Sequence, residues 1–473
     1  MYTPKYVVEI VYMLQATEYR SADYLRWFWR TRDVGRVMYR KKLHKTPPAM
    51  LLMLSVGSIM LMQIVLAVWL MYAALGEGRS GYQFLSLAVL AAQPVITAHA
   101  VLFPLYLGEL LIIAPHRATQ IHRSKKLFAE HKGKKIVIAG SYGKTTMKEI
   151  LSSVLGSDIR VAATPGNLNT AAGHARFAAS LQGNEAVLIL ELGEYEPGDI
   201  AKYCQVIRPD YGIITGLAPA HLQSFGTLHE AGKNLFALSD YVEANHLYVN
   251  DENEEMKDFI DRDYGRYSRT AVKGWSITHA KTNLEGLSFT MTKGKKTLKL
   301  QSGLVGIHNV GPIALAAAIA VDEFGLSKSQ VEDAVAVTKP YEHRLKPQKL
   351  QSGAWLIDDT YNGNIEGVRA AIALLREIKA KRKIYVTPGL VEQGVENVTV
   401  HNQIGEMLAD AVDEVVLMRN STTPLIEAGL NNAGFKGVLR RVDDPVKFYE
   451  GINYLVSAGD VVVLQNDWTD NYA

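Results

Sequence analysis

Lys144 and Thr145 carry the most informative chemistry in the chain. An ammonium and a hydroxyl stand side by side, directly after Gly143, where the run Lys135-Ile-Val-Ile-Ala139 gives way to residues 147–155 with helical spacing. A β-branched run, a glycine-rich turn and a helix together present backbone N–H groups to phosphate. Gly140 and Gly143 let the backbone approach closely, Lys144 offsets the outer phosphate charge, and Thr145 offers a hydroxyl to Mg2+. The loop therefore marks Gly140, Ser141, Tyr142, Gly143, Lys144, Thr145 and Thr146 as a nucleotide-binding set. It departs from the longer P-loop pattern, because Ile138 stands where that pattern has its first glycine. Glu191 closes another apolar run, residues 186–190. A carboxylate at the carboxyl end of a strand lies where α/β sheets bind ligands. Thr145, Glu191 and substrate phosphates make an oxygen set suited to Mg2+, which keeps several waters.

The elements that must position these groups follow from the alternation of apolar runs. After the Lys339-Pro340 break, runs at 355–357, 384–386, 415–418, 438–439 and 461–464 alternate with helical stretches near 366–381, 399–411 and 445–456. That alternation predicts a mostly parallel sheet. The fold class is thus α/β: a P-loop parallel-sheet central ATPase domain at 136–339, then a Rossmann-like carboxyl-terminal domain at 340–473. Of 473 residues, 48% are hydrophobic and 21% charged, which excludes a disordered or collagen-like chain. Cys204 is the only cysteine, so no internal disulfide and no cysteine zinc site can form.

The formal charge of +3 hides a split. Residues 1–48 carry +6, residues 115–135 another +6, and residues 136–473 carry −8. Between the basic blocks, residues 49–75 and 81–108 contain no Lys, Arg, Asp or Glu. About 20 apolar residues span a hydrocarbon core, so 49–114 reads as a transmembrane helical hairpin, with Pro94 and Pro104 expected to kink or break its second helix. Basic residues at the outer ends put both termini in the cytoplasm. The aromatic and Arg-rich segment 1–48 reads as an amphipathic helix at the headgroup level, too short at 7–14 and interrupted by Glu9 to make a third span, and 115–135 as a basic linker. Nucleic-acid binding is the rival reading of so much Arg, and the adjacent hairpin favours lipid.

Further motifs follow in order. They are Thr164-Pro-Gly-Asn-Leu-Asn-Thr-Ala-Ala-Gly173, Val187-Leu-Ile-Leu-Glu-Leu-Gly193 with Pro197-Gly-Asp-Ile200, Ala218-Pro-Ala-His-Leu-Gln-Ser-Phe-Gly226, Gly306-Ile-His-Asn-Val310, Tyr341-Glu-His-Arg-Leu345 and Ile357-Asp-Asp-Thr-Tyr-Asn-Gly-Asn364. With the shortened P-loop, they resemble the Mur ligase family over residues 133–473, and within it the MurF type, which adds D-alanyl-D-alanine to a muramoyl peptide. The resemblance implies Glu191 and His221 as metal residues beside Thr145, for one or two Mg2+ ions, and Asn309 as the adenine contact. It implies Arg344 as a phosphate-binding arginine from the inter-domain linker; Asp359 could accept ribose hydroxyls. Lys144, His221, Lys233 and Arg344 are then the catalytic set. Lys233 is either a carbamylated lysine bridging metals, if the loop before it is two residues short, or a solvated helix charge. Thr170, Ile365 and Leu390 depart from the family pattern, and the chain's last strand lacks the usual Lys-Gly-Ser. The last two departures fall where the incoming amine is expected.

The activity so implied is ATP-dependent amide formation between a peptide carboxylate and an amine or dipeptide, in synthesis of peptidoglycan or a related envelope precursor. MurF-type enzymes carry a soluble amino-terminal domain for a UDP-linked substrate, and a hairpin stands in its place here. That suggests a lipid-linked acceptor, the lipid bilayer and other envelope-synthesis membrane proteins as partners, and the cytoplasmic membrane as location, with the soluble domains facing the cytoplasm. The alternatives are a catalytically decayed ATP-binding scaffold and a polyglutamate-type polymer ligase.

Overall fold

The computed structural model describes residues 4–17, 19–31, 43–77, 80–166, 168–219, 222–361, 363–390, 393 and 396–466. His221 lies outside the described residues, as do Arg32, Arg36, Arg40, Lys41 and Lys42 of the first basic block. The chain divides into two units, residues 1–119 and 120–473.

Among its described residues the first unit is built of helices. Pro47–Glu77 and Ser80–Ala100 form two helices packed against each other. Ser86 donates from its hydroxyl to the Ala67 carbonyl at 2.7 Å, and Thr97 to Gln63 at 3.1 Å, so each bond ties one arm of the hairpin to the other. Pro94 sits within an unbroken helix. The interruption comes at Val101, three residues before Pro104, which occupies the first turn of Leu102–Gly108, where a missing N–H costs little. A π-helical turn, Glu109–Ile113, leads into the helix Ala114–Glu130, so most of the expected basic linker is helical. The amino-terminal segment, anticipated as one amphipathic helix, contains two helices among its described residues. Pro4–Ala16 and Ser21–Arg30 pack on the hairpin, with Tyr6, Ile10, Leu14, Tyr24 and Phe28 buried among Leu52, Val56, Ala98 and Val101. Tyr6 and Tyr24 donate to the carbonyls of Pro94 and Ala98 at 2.8 and 3.0 Å. The apolar stripe at helical spacing packs on protein. Two helical stretches, Pro47–Gly76 and Gly81–Glu130, are long and apolar enough to cross a membrane, and only 28% and 17% of their most apolar windows are buried.

The second unit holds two sheets. The first comprises β1 (Lys134–Ala139), β2 (Val161–Ala163), β3 (Val187–Glu191), β4 (Tyr211–Ile214), β5 (Leu247–Asn250), β6 (Gly265–Tyr267), β7 (Ala271–Val272), β8 (Trp275–Asn283), β9 (Gly286–Lys293) and β10 (Lys296–Ser302), in the order β10-β9-β8-β7-β6-β5-β4-β1-β3-β2. Strands β2 to β6 pair in parallel around β1, as expected, and β7 to β10 extend the sheet antiparallel, which makes it mixed. The alternating burial of β9 shows why: one face of this ribbon covers the core and the other meets water. The helices Lys144–Gly156 and Val310–Asp322 fill one face of the sheet, with Met147, Ile150, Leu151, Ile313 and Leu315 fully buried beside Ile136 and Ile138. Cys204 is buried on the opposite face with Leu188, Leu190 and Ile200.

The second sheet comprises β11 (Lys346–Lys349), β12 (Trp355–Asp359), β13 (Arg382–Thr387), β14 (Glu414–Met418), β15 (Val438–Val442) and β16 (Asp460–Gln465), in the order β11-β12-β16-β13-β14-β15. Every strand from β12 onward is parallel and every one was anticipated; β11 is an added antiparallel edge. Four helices, Ile365–Glu377, Asn397–Leu408, Thr423–Asn432 and Pro445–Leu455, connect them, the third not anticipated.

Candidate active site

The loop between β1 and the helix Lys144–Gly156 is fixed from below by Thr215, the first residue after β4. Its hydroxyl donates to the Ala139 carbonyl at 3.2 Å and also contacts the Tyr142 carbonyl, while Ser141 N–H donates to the Gly216 carbonyl at 2.8 Å. Gly140 has φ +139°, and a Cβ there would strike Thr215 and the Gly216 backbone. Gly143, at φ +74°, is the N-cap of the helix, and no side chain caps it. First-turn N–H groups without a side-chain acceptor are a ready anion site. The Tyr142 ring lies against Gly216, and burial raises its phenol pKa. Lys144 donates to the Gly140 carbonyl, and its Nζ is 3.7 Å from the buried Glu194 carboxylate.

Glu191 ends β3 beside this loop and is 3% exposed. Its Oε2 accepts from the Thr145 hydroxyl at 2.9 Å, and its Oε1 from Asn169 Nδ2 at 3.3 Å. Thr145 and Glu191, the two residues expected to serve Mg2+, are thus hydrogen-bonded to each other, and oxygen donors of this kind would fit a hard cation. Lys148 Nζ also approaches Glu191 Oε2, at 3.7 Å. His174 Nε2 donates to the Glu191 backbone carbonyl at 2.8 Å, and burial lowers the His174 pKa to about 4, so this imidazole is neutral. Thr170, where the family has a second Asn, is the N-cap of Ala171–Ser180 and accepts from Gly173 N–H at 3.2 Å.

Lys233 lies on the helix Leu228–Phe236, exposed and paired with Glu230 at 2.8 Å. Asn309 precedes the buried helix Val310–Asp322 and donates to the Val305 carbonyl at 2.7 Å, so its own turn holds it.

Arg344 sits between two non-glycine residues at positive φ, His343 (+62°) and Leu345 (+42°). Such backbone persists only where its surroundings over-determine it. His343 Nδ1 meets Asp358 at 2.8 Å, Leu345 N–H donates to Asp359 Oδ1 at 3.1 Å, and the guanidinium lies 4.3 Å from the Tyr361 ring centroid. Burial lowers the Arg344 pKa, and the neighbouring Asp359 opposes that shift. Burial raises Asp359 to about 6, against a hydrogen bond from Gln465 at 2.7 Å and the nearby Arg344. Asn364 caps the helix Ile365–Glu377, accepting from Gly367 N–H at 2.9 Å, with Ile365 buried at the first helical position. At Leu390, the departure from the family's acidic residue, the side chain is buried and the backbone N–H donates to His401 Nε2 at 2.9 Å.

Lys148, Asn169, Thr215 and Gln465 were missed from the sequence. A signal existed only for Lys148, which falls one helical turn after Lys144 on the same face. Asn169 stood unassigned within its motif, and the other two act through strand pairing that no local pattern reveals.

A glycine loop at a helix start, a carboxylate-ended parallel strand beside it and a second α/β domain bringing an arginine on its linker define an ATP-binding α/β ligase architecture. Residues 138–320 match the Mur ligase middle domain and residues 343–465 the Mur ligase glutamate ligase domain, together nearly two thirds of the chain. The chain belongs to the Mur ligase family of ATP-dependent ligases. The UDP-N-acetylmuramoyl-tripeptide–D-alanyl-D-alanine ligase of Escherichia coli K12 is 27% identical over 290 residues, 59% of this chain and 63% of that ligase. The ligase of the same name from Bacillus subtilis 168 is 25% identical over 314 residues, 64% of this chain and 67% of that one. Among solved structures, MurF ligase from Thermotoga maritima in complex with ADP has a TM-score of 0.64 at 22% identity, covering 74% of this chain and 80% of that one, a likeness of fold.

Proposed function

We propose that this chain is a membrane-anchored, MurF-type amide ligase of envelope-precursor synthesis. The observation that carries the ligase reading is the convergence of the uncapped loop at Gly143–Lys144 with Thr145 on Glu191, in a chain of this family. The anchor rests on two helical stretches whose large apolar side chains, Leu54, Met62, Trp69 and Phe84 among them, are exposed. Contiguous exposed apolar surface of that extent calls for lipid.

In the proposed reaction, a peptide carboxylate attacks the γ-phosphate of ATP, giving an acyl phosphate and ADP. An amine then attacks the acyl carbon, and inorganic phosphate leaves as the amide forms. Both reactants of the first step are anionic, so the protein's contribution is charge and position. Lys144 and the first-turn N–H groups hold the phosphates, and Arg344, stacked on Tyr361, supplies a second fixed cation from the linker. Bound Mg2+, held by Thr145 and Glu191, would add Lewis-acid polarisation of the phosphates. Asn309 and Asp359 belong to the adenine and ribose side of the same proposal, and His221 to the metal set. Lys233, ion-paired at the surface, is left out of it.

The acceptor is proposed to be lipid-linked, because a membrane anchor raises the local concentration of a lipid-borne partner without any added contact. Full-length protein in detergent, given ATP, Mg2+, D-alanyl-D-alanine and either lipid-linked or UDP-linked muramoyl peptide, is expected to release ADP only with both co-substrates and faster with the lipid-linked one. Equal turnover of the UDP-linked peptide overturns the lipid preference. The surface placement of Lys233 favours a second reading, a decayed ATP-binding scaffold, and slow ADP release independent of the amine would support it.

A further inference from the structure

Lys148 is wholly buried and yet fully engaged. Its ammonium donates to the backbone carbonyls of Thr164 and Gly166 at 3.0 and 2.5 Å, and lies 3.3 Å from Glu149 and 3.7 Å from Glu191 Oε2. A buried lysine is costly unless paired, and a methionine would fill the same space without that cost. The cation therefore has an electrostatic purpose. Its nearest catalytic neighbour is the carboxylate oxygen that also accepts from Thr145, on the donor set that suits Mg2+. The two carbonyls it binds belong to the turn that leads to Asn169, whose amide donates to the other oxygen of Glu191.

We propose that Lys148 is a positioning residue that serves as a fixed counter-cation to Glu191. It holds the carboxylate and the 164–166 turn in register and makes the site unattractive to a bare dication. Mg2+ is then admitted only together with nucleotide, whose phosphates bring the extra negative charge. The inference rests on the Mg2+–nucleotide reading of this site. The electrostatic direction is unambiguous: a permanent positive charge within ion-pair distance of a carboxylate lowers its affinity for a second cation, and in a buried setting the effect is little screened.

The test compares parent, Lys148→Met and Lys148→Arg, all full-length in detergent, by thermal denaturation and by Mn2+ binding followed by electron paramagnetic resonance. The parent is expected to show no shift with millimolar Mg2+ alone and a clear shift with Mg2+ plus ADP. Lys148→Met should be stabilised by Mg2+ alone and bind bare Mn2+ at least about tenfold more tightly than the parent. Lys148→Arg, which keeps the charge, should behave as the parent. A merely structural lysine would lower the melting temperature without changing the response to bare metal, and that result overturns the proposal. Should Lys148→Met not fold, the parent alone decides: bare Mn2+ bound there as tightly as with ADP overturns the proposal, and Mn2+ bound only with ADP supports it. A parent that binds no ADP under any condition overturns the nucleotide reading, and this inference with it.

Discussion

Asp359 shows how one side chain can couple the site to pH. Its carboxyl is buried at the end of β12, and its pKa rises from 3.8 to about 6, chiefly through burial. The folded chain thus holds this proton more tightly than the unfolded chain does, so the stability it contributes is present at low pH and is lost as pH rises from about 4 through about 6. Replacing it by Asn removes the titration while keeping an acceptor for Leu345 N–H. Urea denaturation should show Asp359→Asn gaining on the parent by roughly 2–3 kcal/mol between pH 4 and pH 7. Equal pH dependence in the two would mean that the carboxyl titrates normally. Neither the shift nor its cause was legible in the sequence. Gln465, the donor to Asp359, lies 106 residues away and meets it only because β16 pairs with β12. Glu191 was legible, since an acid closing an apolar run announces the edge of a sheet. Lys148 was marked only by its spacing, one helical turn after Lys144, because two of its partners are backbone carbonyls, which leave no mark in a sequence.

At the scale of elements, the strand–loop–helix around Lys144 is the part that local sequence specifies most fully. The β-branched run forms β1, and the glycines sit where φ is positive. The structure adds the lock beneath the loop, Thr215, which joins the ends of β1 and β4 to the Tyr142 carbonyl. A Cβ at Gly140 would meet that lock in a conformation that other residues rarely adopt. Gly140→Ala should therefore lower stability by about 1–3 kcal/mol and abolish the thermal shift produced by Mg2+ and ADP. An unchanged nucleotide shift would show that the loop tolerates the methyl group. The elements that escaped notice share a cause. Strands β8 to β10 interleave Ser, Thr and Lys with apolar residues, so their ribbon is visible only once the sheet edge it extends is known. Thr423–Asn432 is a ten-residue helix with Pro424 in its first turn, short enough to pass for a loop. Pro4–Ala16 had its apolar stripe, but a stripe does not say whether protein or lipid will cover it.

For the whole molecule, the division of labour is one of solvent. Residues 1–119 expose apolar helix faces, whereas the unit at 120–473 buries its apolar strands between helices. If the first unit is seated in a bilayer, washing membranes with alkaline carbonate or high salt should leave the chain in the pellet. Release by carbonate would reduce the attachment to a peripheral, electrostatic one, worth about 1 kcal/mol per basic residue near an anionic surface. The topology of that attachment can be mapped cleanly because of the protein's only thiol. Cys204 is fully buried, and burial pushes its pKa up to about 12, so it stays a protonated sulfhydryl out of reach of alkylating reagents. The wild-type chain is in effect already a cysteine-free background: a reporter thiol placed at any helix end would be the one that a maleimide finds, with nothing native to silence first.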